Sequence, residues 1–365
     1  MNKKSTILNL LLCIIIANLS LVNVFAFQIQ IKLTKVGSLN TNGDAVSTEI
    51  LGDIAFVLTN SDSTPDGVVI VNITDPTNPQ KISSFYDGGK YYQIKIKNNL
   101  AFLADGSDGL EILNITNLLS PVKVNNYPVS YIATDVEIIG DILYLASWSQ
   151  GLLILNISNP ENLQLINQYN DNSLCCIQIE INGNIACITD HKSDYTSLRF
   201  LDISTPISPI LISSLIKSQT DFWSPKIIDN ILAVANHYAN AGEMRIYNIS
   251  NLQSIQEIAI YDQRSNIMAI TPNGTTLLLA DYKNGLEIID ITQPENPIKI
   301  GDFYDGSHSQ DVTFSNGLIF ASNLDAGLEV FSSSVLTKEG NISGVVFSFV
   351  WILLFTRTIN RKKRR

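Results

Sequence analysis

Cysteine and histidine are scarce in this chain, with four cysteines and three histidines in 365 residues. Cys13 falls in an apolar run near the start, which leaves Cys175, Cys176 and Cys187 for the rest. So few cysteines exclude the disulfide framework of a small secreted domain. Adjacent strands are predicted to carry Cys176 and Cys187, the latter opposite Gln178. A bridge between them would need a demanding geometry, so we expect three free thiols.

Known catalytic and nucleotide-binding signatures are missing as well. The sequence contains no Gly-x-Ser-x-Gly nucleophile elbow, and no glycine-rich phosphate loop follows a strand pattern. No cysteine is matched with a histidine and a third orienting residue. Helical periodicity is absent between residues 30 and 335, which disfavours a fold of alternating strands and helices.

Charge is distributed unevenly along the chain. Lys3, Lys4 and the six basic residues from Arg357 onward are eight of the 24 basic residues, which leaves 16 against 34 acidic residues in between. An acidic body disfavours a nucleic-acid partner, because binding to phosphates requires a basic surface.

The N-terminal end has the layout of a secretory signal peptide. Residues 1–26 begin with Lys3 and Lys4, continue in an apolar run and end on the small residue Ala26, after which we expect cleavage. An uncleaved N-terminal anchor is the alternative.

The C-terminal end has the pattern of a membrane anchor. Residues 340–356 carry no charge, so residues 342–357 are predicted to form a short transmembrane helix. The basic residues 358–365 would stay on the cytoplasmic side, and residues 335–341 would form a short stalk. A buried core helix and removal of this end by a sortase-like enzyme are the alternatives. Whether this end is retained or removed, residues 27–339 are expected outside the cell.

One pattern, GVVIVNITDPTNP at residues 67–79, recurs along the chain. Its copies begin at seven positions: Gly67, Gly109, Gly151, Ser197, Glu243, Gly285 and Gly327. Successive starts are 42 or 46 residues apart. A fixed period of this length indicates a repeat architecture.

Each repeat is predicted to contain four strands, which we name A to D. In the last repeat, strand A spans residues 310–314, Asn316-Gly317 forms a tight turn, and strands B and C span residues 318–322 and 327–331. Strand D follows a proline, as at residues 298–303. Strands B and C are apolar at consecutive positions, so both sheet faces are covered, as in a β-propeller.

The strand count predicts an all-β, seven-bladed β-propeller at residues 27–334. Strands A, B and C occur seven times, but strand D follows only six of them. Residues 31–39 supply the missing strand D from the N-terminal side. This N-terminal strand would complete the last blade and close the ring, which removes the free sheet edges.

The segment at residues 67–79 resembles the LVIVD repeat of secreted and surface proteins in bacteria and archaea. The resemblance covers about residues 30–332, and the copies that begin at Ser197 and Glu243 depart most from the pattern. It implies a propeller fold and a surface location. It assigns no catalytic residue.

An asparagine or aspartate ends strand C in six copies: Asn72, Asn114, Asn156, Asp202, Asn248 and Asp290. The four asparagines lie in glycosylation sequons. Because aspartate fills the same position in two copies, we expect this residue to cap the turn with its side chain rather than to carry a glycan.

The loops between strands B and C and between D and A share one end of the predicted ring, which we name the top face. The last strand C ends at the opposite, bottom face, just before the predicted stalk. We therefore expect the bottom face toward the membrane and the top face outward.

Two sets of side chains are predicted at the top face. The polar ring consists of the last residue of each strand B: Thr59, Asp105, Ser147, Asp190, Asn236, Asp281 and Asn323. The aromatic set lies beside it: Tyr91, Tyr92, Tyr131, Trp148, His191, Trp223, His237, Tyr282 and His308. Aromatic rings beside carboxylates and amides suit glycan stacking or peptide capture. As alternatives, the polar ring forms local turn bonds and the aromatic set only packs.

The sequence also suggests two metal sites. Asp105 and Asp108 lie in a short DGSDG segment that resembles a calcium loop but lacks full EF-hand spacing. Asp190, His191 and His237 could hold a transition metal across two blades. A plain polar turn is the simpler interpretation, and we expect no other cofactor.

The sequence thus predicts a monomeric, single-pass membrane protein whose extracellular propeller binds a glycan, a peptide or an envelope protein. The alternative is an extracellular hydrolase, lyase or oxidoreductase that uses acidic and histidine side chains at the top face: Asp105, Asp190, Asp281, His191 and His237. An enzyme requires at least two such groups in one pocket, whereas a binding platform leaves them dispersed.

Overall fold

The computed structural model describes residues 29–60, 66–170, 174–192, 195–237, 242–262 and 266–336. In these ranges every regular element is a strand, and no helix is long and apolar enough to cross a membrane. The predicted signal peptide, transmembrane helix and basic tail lie outside the described residues.

Strand β1 (Gln30–Leu39) precedes five antiparallel sheets of four strands, each in the chain order A, B, C, D. The first two sheets contain β2 (Asp44–Leu51), β3 (Ile54–Asn60), β4 (Gly67–Asn72) and β5 (Gln80–Tyr86), then β6 (Gln93–Lys97), β7 (Leu100–Asp105), β8 (Gly109–Asn114) and β9 (Val122–Tyr127). The third contains β10 (Ala133–Ile139), β11 (Ile142–Ser147), β12 (Gly151–Asn156) and β13 (Gln164–Tyr169). The fourth and fifth contain β14 (Cys176–Asn182), β15 (Ile185–His191), β16 (Tyr195–Asp202) and β17 (Ile210–Ser218), then β18 (Phe222–Ile228), β19 (Ile231–Asn236), β20 (Glu243–Asn248) and β21 (Gln256–Asp262).

The remaining strands join β1 in one eight-stranded sheet. They are β22 (Ile267–Asn273), β23 (Thr276–Asp281), β24 (Gly285–Asp290), β25 (Ile298–Phe303), β26 (Ser309–Ser315), β27 (Leu318–Asn323) and β28 (Gly327–Leu336). The order across the sheet is β22-β23-β24-β25-β1-β28-β27-β26. Two sets of four strands therefore meet where β1 lies beside β25.

The N-terminal strand pairs with the last strand, as predicted. β1 runs antiparallel to β28 from Gln30 opposite Leu336 to Leu39 opposite Leu328. Its parallel contact with β25 covers only two residue pairs. β1 is long enough to pair with residues beyond the predicted end of the last strand C, so β28 extends to Leu336. It therefore includes the first two residues of the segment predicted as a stalk. β28 is antiparallel to β27, so it ends on the bottom face.

The strand A of each set contacts the strand A of the next set, and the contacts return to their start. The sequence of contacts is β2, β6, β10, β14, β18, β22, β26 and again β2. Buried apolar side chains fill the space between neighbouring sheets; one such cluster holds Phe102 of β7 and Leu143 of β11. This cyclic, all-β arrangement is propeller-like, and it explains why strands B and C are apolar on both faces.

The predicted capping of the turn after strand C is confirmed. Asn72 Oδ1 accepts a hydrogen bond from the backbone N of Thr74 at 2.9 Å. The same bond forms at 2.8–2.9 Å from Asn114, Asn156, Asp202, Asn248 and Asp290. The asparagine or aspartate therefore fixes the turn on the bottom face.

The three cysteines among the described residues are free, as expected. The predicted register was wrong, however, because Cys187 lies opposite Glu180 and not Gln178. The turn is centred on Gly183 and Asn184, because Asn182 pairs with Ile185, and not on Asn182 and Gly183 as predicted, so the register is shifted along the whole hairpin. A further irregularity between Cys176 and Gln178 puts Cys176 opposite Asp190. Burial raises the pKa of the Cys176 and Cys187 thiols, which keeps both protonated.

Candidate functional site

The A strands surround a central cavity of about 430 Å³. This volume falls within the range of roughly 300–1,000 Å³ that is typical of small-molecule sites. Side chains from the A strands form its wall, and side chains from top-face loops form its upper end.

A ring of mostly polar side chains encircles the cavity at one level of the A strands. This inner ring consists of Ser47, Gln93, Asp135, Gln178, Ser224, Ala269 and Asp311. Several members accept a hydrogen bond from the backbone of the next sheet. Ser224 Oγ accepts one from Ile270 N at 2.8 Å, and Asp311 Oδ2 accepts one from Thr48 N at 3.0 Å. The inner ring therefore connects neighbouring sheets that share no strand ladder.

On several A strands, a charged side chain lies two residues after the member of the inner ring. This charged layer consists of Glu49, Lys95, Glu137, Glu180 and Lys226. Lys95 Nζ lies 2.8 Å from Glu137, and Lys226 Nζ lies 3.0 Å from Glu180. Glu49 forms no hydrogen bond or ion pair among the residues that the structure describes, and burial raises its pKa.

Acidic groups outnumber basic groups on the cavity wall. The acidic ones are Glu49, Asp135, Glu137 and Asp311, and the basic ones are Lys95 and Lys226. Burial also raises the pKa of Asp135 to about 7. A raised pKa reduces the negative charge of Asp135, but the acidic side chains still outnumber the basic ones, so the cavity favours a cationic group over an anionic one.

Aromatic side chains frame the upper end of the cavity. Tyr92 and Trp148 are each 37% exposed there. Trp223 lies between two histidine rings, with its centroid 5.2 Å from that of His191 and 5.5 Å from that of His237. These rings form a partly exposed apolar rim above a charged interior.

The predicted aromatic set is only partly at this cavity. Tyr91, Tyr92, Trp148 and Trp223 line it, although Tyr91 is fully buried. The other five members lie outside its wall: Tyr131, His191, His237, Tyr282 and His308. Tyr131 packs edge-on against Trp148 with centroids 6.5 Å apart, and Tyr282 packs against His308 at 4.5 Å.

The predicted polar ring is buried within the sheets and does not line the cavity. All seven members are at most 2% exposed: Thr59, Asp105, Ser147, Asp190, Asn236, Asp281 and Asn323. Asp190 lies 2.8 Å from the guanidinium of Arg199, and Asp281 Oδ1 accepts hydrogen bonds from the backbone N of Lys283 and Asn284 at 3.1 and 3.2 Å. Local bonding within each sheet therefore accounts for these two members.

The histidines at Trp223 have protein partners for their ring nitrogens. His191 Nε2 lies 2.9 Å from Phe222 O, and its Nδ1 lies 2.9 Å from Asp221. His237 Nε2 lies 2.6 Å from Ile267 O, and burial lowers the pKa of this ring. In the described residues these histidines do not join Asp190 in a metal-ligand set. The candidate catalytic aspartates Asp105, Asp190 and Asp281 lie at or next to the ends of strands in three different sheets, and none of them lines the central cavity.

The inner ring and the charged layer were missed from the sequence, although a signal exists. Polar residues alternate along strand A, as in Gln93 and Lys95 or Asp135 and Glu137. Such a period of two marks one face of a strand. Only the closed ring of A strands turns that face into a cavity wall.

Comparisons with known proteins agree with the repeat pattern. The family model described as LVIVD repeat matches residues 88–129, 132–171, 177–216 and 277–305. The crystal structure of the computationally designed Ika8 protein is similar with a TM-score of 0.61 and 10% sequence identity, over 82% of this chain and 99% of that chain. At this identity the likeness concerns the fold alone. No curated protein matches the chain.

Proposed function

Because this chain carries LVIVD repeats in a propeller-like ring of sheets, we propose that it is a seven-bladed β-propeller that acts as a binding scaffold. Five four-stranded sheets and the two sets within the eight-stranded sheet support the blade count. The cycle of contacts among the A strands supports a closed ring. Such a ring is a rigid frame that presents loops and a central cavity to a ligand.

The ligand site in this proposal is the central cavity with its aromatic rim. The observation that carries it is that Tyr92, Trp148 and Trp223 lie at the upper end of the cavity, while its wall holds Glu49, which has no ion-pair partner among the described residues. Aromatic faces and a nearby carboxylate attract ammonium and guanidinium groups. Of the peptide, envelope-protein and glycan ligands, the acid excess favours a peptide or protein segment that carries lysine or arginine.

We place the protein at the cell surface as a single-pass membrane protein with the propeller outside. The apolar and basic pattern of residues 342–365 supports this location. The exit of β28 on the bottom face supports a top face that points away from the membrane. Membrane fractionation of cells that express the full chain tests the anchor. Deletion of residues 342–365 is expected to release the protein, and retention in the membrane would refute the anchor.

A binding screen with the purified full-length chain tests the ligand class. Basic peptides, neutral peptides of matched length and uncharged glycans would be compared by fluorescence or calorimetry. Trp148→Ala is expected to weaken binding of basic peptides at least tenfold, as for a central aromatic contact. Leu119→Ala, at an exposed site in the turn before β9, is the control and keeps wild-type affinity. Binding that survives Trp148→Ala and Trp223→Ala together would refute the site, and preferential glycan binding would refute the basic ligand.

A further inference from the structure

Three carboxylates from neighbouring elements converge outside the central cavity. Asp105 ends β7, Glu111 lies in β8, and Asp87 lies in the loop after β5. One carboxylate oxygen from each lies within 4.8 Å of the other two. Asp105 and Glu111 are fully buried, while Asp87 is partly exposed. The cluster is therefore enclosed by the fold and open to solvent on the Asp87 side.

The Asp105 carboxylate is the unusual member of the cluster. It is 0% exposed, and neither of its oxygens has a hydrogen-bond partner among the described residues. The backbone of Gly89 approaches it so closely that a Cβ there would lie 2.0 Å from Asp105 Oδ1. An unpartnered buried carboxylate is costly unless a proton or a cation neutralises it.

The basic group in the cluster does not contact Asp105. Lys123 Nζ lies 3.0 Å from Asp87 and forms an ion pair with Glu111. The hydroxyl of Tyr91 donates a hydrogen bond to Asp87 Oδ1 at 2.5 Å. Three carboxylates thus share one ammonium, and burial together with the charge of Asp87 raises the pKa of Asp105 to about 7.

In the last repeat, a neutral residue occupies the position of Asp105 and has a hydrogen-bond partner. Asn323 ends β27 as Asp105 ends β7, and Glu329 in β28 corresponds to Glu111. Asn323 Nδ2 donates a hydrogen bond to Glu329 Oε2 at 2.7 Å. Lys35 of β1 lies 2.8 Å from Glu329, as Lys123 contacts Glu111. Asparagine completes this network with a hydrogen bond to the glutamate. An ionised aspartate in the same place cannot donate that bond and adds a negative charge instead.

We propose that Asp87, Asp105 and Glu111 bind a divalent cation of the hard, oxygen-preferring class, and Ca²⁺ in particular. Carboxylate oxygens are the ligands that Ca²⁺ takes, at about 2.3–2.6 Å, and oxygens within 4.8 Å of one another can contact one such ion. Water entering beside Asp87 completes the coordination. This set differs from the Asp105 and Asp108 pair of the sequence hypothesis, because Asp108 is exposed and not part of the cluster.

Metal binding would be measured on the purified full-length chain after treatment with EDTA. Calorimetric titration and thermal unfolding with CaCl₂, MgCl₂ or MnCl₂ are expected to show one site and a higher Tm with Ca²⁺. Asp105→Asn (D105N) is expected to fold, because Asn323 occupies the same place beside Glu329, and to lose the Ca²⁺ response. Asp108→Asn (D108N) is the control that keeps it.

Three results would overturn the proposal. They are a wild-type Tm that none of the three cations changes, a Ca²⁺ response that persists in D105N, and a response that D108N abolishes. If D105N does not fold, Asp87→Asn (D87N) provides the same comparison at the exposed edge of the cluster. A Ca²⁺ response retained in D87N would then refute the site.

Discussion

Asp135 of β10 accepts a hydrogen bond from the backbone N of Ile179 in β14 at 2.9 Å, and this bond joins two separate sheets. The inner ring repeats this relationship from Ser224 to Ile270. Apolar side chains pack between the sheets further out, but they carry no directional bond. The inner ring therefore helps to set how the sheets that it connects lie against one another around the cavity.

Removal of the Asp135 side chain tests this role. Asp135→Ala leaves the buried N–H of Ile179 without its acceptor, so the free energy of unfolding is expected to fall by about 1–3 kcal/mol. Urea denaturation followed by tryptophan fluorescence measures the change. Asp141→Ala is the control, because Asp141 is an exposed partner of Lys97 and such pairs contribute less than about 1 kcal/mol. Equal losses in the two variants would contradict a linking role for Asp135.

The closing strand β1 gives a second prediction. Leu33 is 4% exposed and belongs to the same buried cluster as Phe331 of β28. Leu33→Ala removes buried apolar volume, so the free energy of unfolding is expected to fall by about 2–5 kcal/mol. Thr34→Ala, at the adjacent exposed position, is expected to change it by less than about 0.5 kcal/mol. A small effect of Leu33→Ala in the same denaturation assay would mean that β1 contributes little to closure.

The fold and the turns were predictable because the repeat shows the same local chemistry several times. The bond between Asn72 and the backbone of Thr74 follows from the preference of asparagine for such turns. The turn could be recognised in the sequence because six copies carry asparagine or aspartate at this position. The apolar runs of strands B and C also recur in the repeats, and they predicted that both faces of each sheet are covered by neighbouring sheets.

The register near Cys176 and the cluster at Asp105 were not predictable in this way. The irregularity between Cys176 and Gln178 inserts a residue that no alternation of polar and apolar residues reveals. Asp87 reaches Asp105 through a loop whose path depends on how two sheets pack. The cavity likewise required the closed ring, because its wall combines residues from every repeat.

Buried acids predict a pH dependence of stability in the metal-free protein. In the folded state the pKa of Asp105 is about 7 and that of Glu111 is about 8, both above their ordinary values near 4. The folded state therefore holds more protons than the unfolded state above pH 4. The free energy of unfolding is expected to be highest near pH 4–5 and to fall as the pH rises through 7 and 8.

Asp105→Asn separates this effect from other titrations, because the amide does not ionise. In EDTA, the decline in the free energy of unfolding between pH 5 and 8 is expected to become shallower in this variant by about 2 kcal/mol or more. Denaturant titrations at several pH values measure the slope. The same decline in D105N and wild type would show that Asp105 is already ionised when the protein is folded at low pH.

Glu49 gives the prediction that best separates ligand binding from stability. Burial raises the pKa of Glu49, and no described residue pairs with it, so the charge opposes folding at neutral pH. Glu49→Gln is expected to raise the free energy of unfolding by about 0.5–1 kcal/mol and to weaken binding of basic peptides. Such opposite changes are typical of a residue retained for function at some expense of stability.

Glu137 is the matched control on the same cavity wall. Its carboxylate lies 2.8 Å from Lys95 Nζ, so Glu137→Gln leaves a half-buried ammonium without this partner and is expected to lower the free energy of unfolding. Denaturation and peptide titration of both variants give a two-way comparison. If Glu49→Gln lowers stability as Glu137→Gln does, then Glu49 has a structural partner in solution. If Glu49→Gln leaves peptide affinity unchanged, the basic group of the ligand does not reach the wall of the cavity.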